Sequence, residues 1–257
     1  MRIRIDKLLV DRGLAPSRER AQRLVLAGVV FANGRPVTKA GSLVDPEAPI
    51  EVKGDDMPYV SRGGLKLAAA LDRFGVEVRN RVCLDVGAST GGFTDCLLQR
   101  GAAHVYAVDV GYGQFAWKLR TDPRVTLFER TNFRSFSPDL LSPQPNVATV
   151  DVSFISLRLL LPNLRRCVAV DSDVLLLVKP QFEVGRSQVG SGGVVRDPEL
   201  HRAAIDAVKE AAQTLSFSVL GECPSPLLGP KGNREFFLHL RGPQNHPLHA
   251  ERANLGQ

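Results

Sequence analysis

The chain has 257 residues, 44% of them hydrophobic, which is enough to bury the core of one large domain or two small ones. Its four cysteines are far apart and form no CxxC pair, so they suggest neither a zinc site nor a disulfide framework. No apolar run approaches the roughly 18 residues of a membrane span, and charged residues interrupt the N-terminus where a signal peptide would be apolar. We therefore expect a cytoplasmic protein that is neither secreted nor inserted in a membrane.

The positive charge is concentrated at the N-terminus. The first 40 residues contain nine Lys or Arg and three acidic residues, and this surplus of six equals the net charge of +6 of the whole chain. The remaining residues are neutral on balance. This distribution predicts a separate N-terminal module that binds a polyanion, although a basic face that only aids solubility is an alternative.

The N-terminal segment predicts two short helices followed by a hairpin. Ile5, Leu8 and Leu9 indicate a first helix that ends at Gly13, and Ser17 is a suitable N-cap for a second helix. The second helix carries apolar residues on one face (Ala21, Leu24 and Val25) and basic residues outside it (Arg18, Arg20 and Arg23). Residues 29–37 predict a hairpin around Asn33-Gly34, and Ile50 to Val52 predict a further strand.

Residues 1–54 resemble the S4 RNA-binding domain. The resemblance lies in Arg4-Ile5-Asp6-Lys7-Leu8-Leu9, in Ser17-Arg18 before Ala21, in Ala27-Gly28-Val29-Val30 and in Asn33-Gly34. It implies that the basic second helix and the hairpin contact phosphates of structured RNA. The residues expected to do so are Arg4, Arg18, Arg20 and Arg23. Such contacts supply affinity with little base specificity.

The rest of the chain predicts an α/β domain. A linker is expected over residues 55–60, and Ser61 can cap a helix that continues to Gly75. Strands then alternate with helices, the clearest of which covers residues 199–215. The predicted strands are 82–86, 104–108, 125–129, 147–152, 174–179, 217–223 and 235–241. This pattern predicts a doubly wound sheet over residues 61–242, in which ligands bind beyond the carboxyl ends of the parallel strands. Residues 243–257 have no periodicity and are expected to be disordered.

A small-residue turn after the first strand of this domain predicts a nucleotide-like ligand. Its spacing is Gly-x-x-x-Gly-Gly and differs from the GxGxxG of dinucleotide enzymes, which argues against NAD. Asp109 ends the next strand, where an acid can accept both ribose hydroxyl hydrogens. Asn132 follows the third strand, where it could read an adenine edge or only stabilise a turn. The set resembles the S-adenosylmethionine site of class I (Rossmann-like) methyltransferases, with candidate residues Asp85, Gly87, Ser89, Gly91, Gly92, Asp109 and Asn132.

The residues after the fourth strand bear on the methyl acceptor. Methyltransferases that act on nucleobase amino groups usually carry [DN]-P-P-[YF] here, and this chain has Asp151-Val152-Ser153-Phe154. Methylation of a base carbon needs a nucleophilic cysteine, commonly beside proline, and neither Cys167 nor Cys223 has that setting. Both classes are therefore disfavoured.

Four charged residues form the alternative acceptor site. Asp151 and Lys179 end the fourth and fifth strands, and Glu235 reaches the same edge if the last strand is antiparallel and lies beside the fifth. With Lys66 they resemble the Lys-Asp-Lys-Glu tetrad of ribose 2′-O-methyltransferases related to FtsJ. Two flanking carboxylates favour the ammonium form of Lys179, so we expect it to orient the hydroxyl and stabilise developing negative charge more than to act as a base. A structural salt-bridge network is the alternative.

Longer motifs extend the resemblance over nearly the whole chain. They are Tyr59 to Lys66, Asp85 to Thr94, Asp109 to Gln114, Asp151 to Ser156 and Lys179 to Gly185. Together they are similar to the TlyA family of ribosomal RNA cytidine 2′-O-methyltransferases, some of which carry the name haemolysin. The resemblance implies S-adenosylmethionine as cofactor and ribosomal RNA or a ribosomal subunit as partner, with no metal and no obligate protein partner. Because the C-terminal residues lack the helical extension of longer members, we expect 23S rRNA as substrate, with 16S rRNA as the alternative.

Three other functions compete with this interpretation. The chain could be a nucleobase RNA methyltransferase on the same fold. It could also be an inactive RNA-binding assembly factor, against which the intact glycine turn and tetrad argue. A pore-forming haemolysin would need a membrane span or a strongly amphipathic membrane helix, and the sequence supplies neither.

Overall fold

The computed structural model describes residues 2–26, 28–53 and 58–243. The chain divides into two compact units, Met1–Leu65 and Lys66–Gln257. No helix in the described part of the chain is both long enough and apolar enough to cross a membrane.

The first unit contains two helices and short strands. The helices are α1 (Ile5–Asp11) and α2 (Arg18–Leu26), and the strands are β1 (Ile3–Arg4), β2 (Val30–Ala32), β3 (Arg35–Pro36), β4 (Leu43–Val44) and β5 (Ile50–Val52). Strands β3, β2 and β5 form one antiparallel sheet, and β1 pairs with β4. Apolar residues of both helices and of β2 form the core, including Ile5, Leu9, Leu24 and Val30.

The local signals read from this segment are confirmed. The Ser17 hydroxyl accepts a hydrogen bond from the Arg20 amide at 3.1 Å, so Ser17 caps α2. Asn33 and Gly34 both have positive φ, at +51° and +71°, as the two-residue hairpin turn requires. The pairing of β1 with β4 is additional to the sequence prediction, because two-residue strands carry no measurable alternation.

The second unit is a sheet with helices on both faces. Its helices are α3 (Gly63–Phe74, beginning at the unit boundary), α4 (Gly92–Gln99), α5 (Trp117–Arg120), α6 (Leu161–Cys167), α7 (Pro180–Glu183) and α8 (Pro198–Thr214). Its strands are β6 (Val82–Val86), β7 (His104–Val108), β8 (Val125–Phe128), β9 (Val147–Val150), β10 (Asp173–Val178), β11 (Ser218–Pro224) and β12 (Phe236–Arg241). Every predicted strand is present within two residues of its expected ends, and α8 matches the predicted long helix.

The strand order places the ends of several strands at one edge. The order is β11-β12-β10-β9-β6-β7-β8, and β6 to β10 are mutually parallel where they pair. Strand β12 runs antiparallel between β10 and β11, so it begins where β9 and β10 end. This confirms the doubly wound α/β class and the predicted position of the last strand. A hydrophobic core packs between sheet and helices and includes Leu84, Leu161, Leu176 and Leu238.

Two of the predicted boundaries fall partly outside the described residues. The expected linker, 55–60, is described only from Pro58 onward, and the expected disordered tail is described only at Pro243. The compact units meet between Leu65 and Lys66, about five residues beyond the predicted end of the linker. The domain limits 1–54 and 61–242 stay predictions.

Candidate functional site

The turn between β6 and α4 requires glycine at two positions. Gly87 has φ of +87°, and a methyl group built on it would lie 2.3 Å from the backbone oxygen of Asp151. Gly91 has φ of +95°, and a methyl group there would lie 2.4 Å from Leu119 Cδ1. A side chain at either position would be strained in conformation and would also clash, so the turn can pass this close to β9 and α5 only with glycine.

A cavity of about 490 Å³ lies beside this turn at the carboxyl edge of the sheet. Its apolar lining includes Val86, Val108, Phe133, Ile155 and Leu160, and its polar lining includes Ser89, Asp109, Gln114, Asn132, Asp151 and Ser153. This size, and this mixture of apolar walls with few polar groups, are typical of a small-molecule site. Among the predicted cofactor residues, Gly87, Ser89, Asp109 and Asn132 line the cavity, whereas Asp85, Gly91 and Gly92 do not.

Asp85 supports the site from inside the fold. Its side chain is fully buried and accepts hydrogen bonds from the hydroxyls of Thr94 at 2.7 Å and Thr149 at 3.3 Å. Burial raises the pKa of Asp85 to about 7, against the lowering effect of the Thr94 hydrogen bond. The carboxyl group thus connects the end of β6 to α4 and β9 and does not face the cavity.

Asp109 organises the loops at the cavity wall. Its Oδ2 accepts the Ser89 amide at 2.7 Å, and its Oδ1 accepts the Gly111 amide at 2.6 Å. A methyl group on Gly111 would lie 2.9 Å from Oδ1, so the loop closes tightly around the carboxylate. Each carboxylate oxygen has two acceptor sites, so Asp109 retains capacity for hydroxyl donors from a ligand.

Asn132 stabilises a turn and also lies in the cavity wall. Its Oδ1 accepts the Arg134 amide at 3.0 Å and caps a short 3-10 helix, so the side chain does stabilise a turn. The residue also lines the cavity. With the oxygen used in the turn, the amide N–H₂ group is the part that can donate to a ligand.

The four charged residues of the predicted acceptor site form two ion pairs. Lys179 Nζ lies 2.5 Å from Asp151 Oδ1, and Lys66 Nζ lies 2.6 Å from Glu235 Oε2. Val178 pairs with Phe236, so the next position along the antiparallel register sets Lys179 opposite Glu235. Asp151, Lys179 and Glu235 therefore stand at one edge on the neighbouring strands β9, β10 and β12. Asp151 also lines the cavity, which joins the two halves of the site.

Burial makes these ion pairs unusual. Lys66, Lys179 and Glu235 are all less than one-tenth exposed. Lys179 also donates to the Ser153 hydroxyl at 3.1 Å. Asp151 Oδ1 and Glu235 Oε1 are buried oxygens without a hydrogen-bond partner among the described residues, and the Lys179 ammonium approaches Asp151 without hydrogen-bond geometry. A buried acceptor without a donor is costly, so Glu235 Oε1 makes this edge of the sheet a candidate functional site.

Phe154 is a site residue that the sequence reading missed. It has φ of +66°, which is rare for an aromatic residue, and it lines the cavity while 91% exposed. Its ring centroid lies 5.2 Å from that of Phe182. In the sequence, Phe154 occupies only the last position of the incomplete [DN]-P-P-[YF] motif. An aromatic residue three positions after a strand-end aspartate was the available signal.

Glu183 accepts hydrogen bonds from the loop that carries Phe154. It is buried, accepts the Ser156 hydroxyl at 2.6 Å and accepts the Leu157 amide at 2.7 Å. Burial raises its pKa, against the effect of these hydrogen bonds. Glu183 lies four residues after Lys179, so one carboxyl group connects the two loops that follow β9 and β10.

In the first unit, a buried carboxylate holds two of the predicted RNA-binding arginines. Asp6 is fully buried and pairs with Arg4 at 2.9 Å and Arg18 at 3.3 Å, and Gln22 donates to it at 3.1 Å. Hydrogen bonds from Arg4 hold the pKa of Asp6 well below its usual range. Both guanidinium groups remain exposed. Of the other two candidates, Arg23 lies 3.6 Å from Glu19 on α2, and Arg20 is half-buried.

Comparison with known families gives two matches. The model of the FtsJ-like methyltransferases matches residues 59–242, and the model of the S4 domain matches residues 3–50. Within the described part of the chain, no three His, Cys, Asp or Glu side chains are grouped so that they could hold a metal ion.

Individual relatives match over nearly the whole chain. The 16S/23S rRNA (cytidine-2′-O)-methyltransferase TlyA of Mycobacterium tuberculosis is 49% identical, over 97% of this chain and 94% of the relative. Hemolysin A of Brachyspira hyodysenteriae is 40% identical, over 93% of this chain and 99% of the relative. A solved structure from Streptococcus thermophilus, named provisionally as a hemolysin, is 46% identical with a TM-score of 0.75, over 96% of this chain and 91% of that one.

Proposed function

The chain belongs to the FtsJ-like methyltransferase family and to the relatives of TlyA within it, with an S4 domain at its N-terminus, and from this premise we propose that it methylates the 2′-hydroxyl of a cytidine in ribosomal RNA. The observation that carries the proposal is the pair of buried lysine–carboxylate ion pairs beside the cavity. The M. tuberculosis relative is named for this reaction. Such an activity would place the protein in the cytoplasm with the ribosomes.

S-adenosylmethionine fits the residues of the cavity. Asp109 can accept the ribose hydroxyls, the Asn132 amide can donate to the adenine edge, and Val108 and Phe133 offer apolar walls to a planar base. The glycines at 87 and 91 let the turn approach the cavity without side chains. When bound, this cofactor supplies a methyl group that is activated on a sulfonium.

The two ion pairs would orient and activate the ribose hydroxyl that accepts the methyl group. A ribose hydroxyl becomes more nucleophilic as its oxygen gains negative charge, and the Lys179 ammonium is the nearest cation to stabilise that charge beside Asp151. The carboxylates of Asp151 and Glu235 can accept the hydroxyl proton in a hydrogen bond and so fix its direction. Lys66 holds Glu235 in place. Lys179 thus orients and stabilises, and a solvent base can take the proton.

Phe154 provides a surface for the target base. Its exposed ring stands at the rim of the cavity in a strained backbone conformation that Glu183 and the neighbouring loop maintain. Aromatic rings stack on bases of any sequence and hold unpaired nucleotides. Stacking there would bring the attached ribose toward Asp151 and Lys179.

Mass spectrometry of the methylated nucleoside tests the proposal. Purified 30S and 50S subunits from cells lacking the protein would be incubated with it and with methyl-labelled S-adenosylmethionine, then digested to nucleosides. The expected product is 2′-O-methylcytidine, and the two subunits tested separately decide between 16S and 23S rRNA. A methyl group on a base, or none despite RNA and cofactor binding, would overturn the proposal in favour of a nucleobase enzyme or a binding factor. A substrate with 2′-deoxycytidine at the modified position is the matched control.

A further inference from the structure

Two loops next to Glu235 carry cations for which the described residues provide no ion pair. The glycine loop, residues 185–196, follows α7, and the Asn233 loop, residues 229–234, leads into β12. Neither segment contains an acidic residue. In the part of the chain that the structure describes, no ion pair involves their four basic side chains, all of which are exposed: Arg186, Arg196, Lys231 and Arg234.

A buried asparagine joins the two loops. Asn233 is 3% exposed, its Nδ2 donates to the Gly193 oxygen at 2.9 Å, and its Oδ1 accepts the Val195 amide at 3.0 Å. Its own backbone oxygen accepts the Gly229 amide at 2.8 Å. His201 of α8 completes the support with a hydrogen bond to the Val195 oxygen at 2.9 Å. The two side-chain hydrogen bonds of Asn233 therefore connect the loops into one surface.

Two of the cations, Lys231 and Arg196, lie close to glycines of the glycine loop. A methyl group built on Gly193 would be 3.4 Å from the Lys231 ammonium, and one built on Gly190 would be 4.0 Å from Arg196 Nη1. Gly192 and Gly193 both have positive φ, at +77° and +79°, and glycine at these positions lets a large anion reach the backbone and the cations together.

This surface adjoins the acceptor residues. Glu235 follows Arg234 directly, and a methyl group built on Gly229 would lie 2.0 Å from Glu235 Oε1. Exposed cations on two joined loops that contain no acidic residue create a positive potential that attracts an anion. Other arginines in the described residues do have acidic partners, for example Arg81, Arg100 and Arg202.

We propose that the glycine loop and the Asn233 loop form a phosphate-binding surface that holds the RNA backbone beside the target nucleotide, through Lys231 and Arg196. The inference rests on the proposed function, because RNA is the polyanion that the tetrad would act on. It adds to the phosphate contacts of the first unit a second set at the site of chemistry. These contacts fix register and carry no base specificity.

The test compares two double variants. Lys231→Ala with Arg196→Ala removes the proposed contacts, and Arg73→Ala with Arg79→Ala removes the same charge from exposed positions on α3 and just before β6, at the opposite edge. Binding of the ribosomal RNA substrate would be measured over a range of salt concentrations, and methyl transfer would be measured in single turnovers at saturating RNA and cofactor. Lys231→Arg with Arg196→Lys keeps the charge and controls for folding.

The first variant should bind RNA about tenfold or more weakly, with a log–log salt slope reduced by roughly 0.7 to 0.9 for each lost contact. Its cofactor affinity should stay within twofold of wild type. The charge-keeping variant and the opposite-edge variant should behave as wild type. A wild-type slope in the first variant, or an equal loss in the opposite-edge variant, would overturn the phosphate-binding surface. Absence of ribose methylation by the wild type, with the slope still reduced in the variant, would instead overturn the proposed function and leave this surface standing.

Discussion

At the scale of the residue, a carboxylate can face the ligand or hold the residues that do. Asp109 lines the cavity and still accepts two backbone amides, whereas Asp85, on the adjacent strand, is buried and bonded to Thr94 and Thr149. Their positions in the sequence are equivalent, because each stands at or near the end of a parallel strand. Asp85 is buried and supports the fold, whereas Asp109 lies at the cavity wall. A separate prediction follows for each residue.

Replacing Asp109 by alanine should weaken S-adenosylmethionine binding at least tenfold. The change removes hydrogen bonds to a charged group that are worth about 1.5 to 3 kcal/mol each, and a loss of about 1.4 kcal/mol is already a factor of ten in affinity. Calorimetry on the folded variant is the measurement. Asp122→Ala, which removes an acid paired with Arg124 outside the cavity, is the matched control and should bind normally. An unchanged affinity in Asp109→Ala would remove this residue from the site.

Asp85 makes the stability of the second unit depend on pH. Its pKa in the folded state is about 7, above its ordinary value of 3.8, so between these values the folded state holds a proton that the unfolded state has released. The free energy of unfolding therefore falls as the pH rises through this window. Asp85→Asn, which cannot ionise, should remove up to about 1.4 kcal/mol per pH unit from that slope. Urea unfolding of both proteins between pH 4.5 and 7.5 would show this, and parallel curves would contradict it.

At the scale of the element, Asp6 fixes the basic face that α1 and α2 share. Asp6 lies in the first turn of α1. It forms ion pairs with Arg18 at the start of α2 and with Arg4, which precedes α1. Two exposed guanidinium groups that are already held in place lose less conformational entropy when they bind phosphate. The negative charge of Asp6 thus disfavours RNA binding, whereas its ordering of the Arg4 and Arg18 side chains favours it.

Replacing Asp6 by asparagine separates these two effects. The substitution makes the domain more basic, so a role of charge alone predicts tighter RNA binding, whereas anchoring predicts weaker binding. We expect a several-fold rise in the dissociation constant, measured with the rRNA substrate at fixed salt, because the loss of order affects two contacts. Asp11→Asn removes an exposed acid from the same helix and should bind as well as wild type or better. Tighter binding by Asp6→Asn, with the fold intact by circular dichroism, would contradict the anchoring role.

The elements themselves were largely predictable, and the reasons differ between the two units. Buried parallel strands such as β6 and β7 are continuous apolar runs, so their ends agreed with the sequence reading. Strands β1 and β4 are two residues long and depend on tertiary pairing, which leaves no periodic signal. The burial of Asp6 could not be predicted, because a charged side chain is rarely buried and its partners Arg18 and Gln22 lie on another helix. The strained backbone of Phe154 has no local sequence signature either.

At the scale of the whole molecule, we expect the first unit to contribute RNA contacts and the second unit to bind the cofactor. The first 40 residues, which belong to the first unit, carry a surplus of six positive charges, and the second unit holds the cavity and the ion pairs. Binding of RNA and binding of the cofactor should therefore respond to different substitutions.

Joint replacement of Arg18, Arg20 and Arg23 by alanine tests this separation. RNA binding should weaken, and its log–log salt slope should fall by roughly 0.7 to 0.9 for each phosphate contact that is lost. The affinity for S-adenosylmethionine, measured by calorimetry, should not change, because α2 contains none of the cavity residues. If the triple variant keeps the wild-type slope, the RNA is held elsewhere. If it loses cofactor affinity, the two units do not have separate tasks.

The central claim is that Lys179 and its ion pair activate a ribose hydroxyl, and single-turnover methylation by Lys179→Ala tests it most directly. At saturating cofactor and rRNA, transfer should fall by about two orders of magnitude or more, the range for losing one preorganised electrostatic group. Cofactor affinity should stay nearly intact, since no cavity-lining residue is changed. Arginine at this position should rescue poorly, because its planar fork cannot take the place of a compact ammonium. Lys209→Ala, which breaks a 2.5 Å ion pair with Glu222 away from the site, should methylate normally. A near wild-type rate in Lys179→Ala under these conditions would contradict the assignment of the acceptor site.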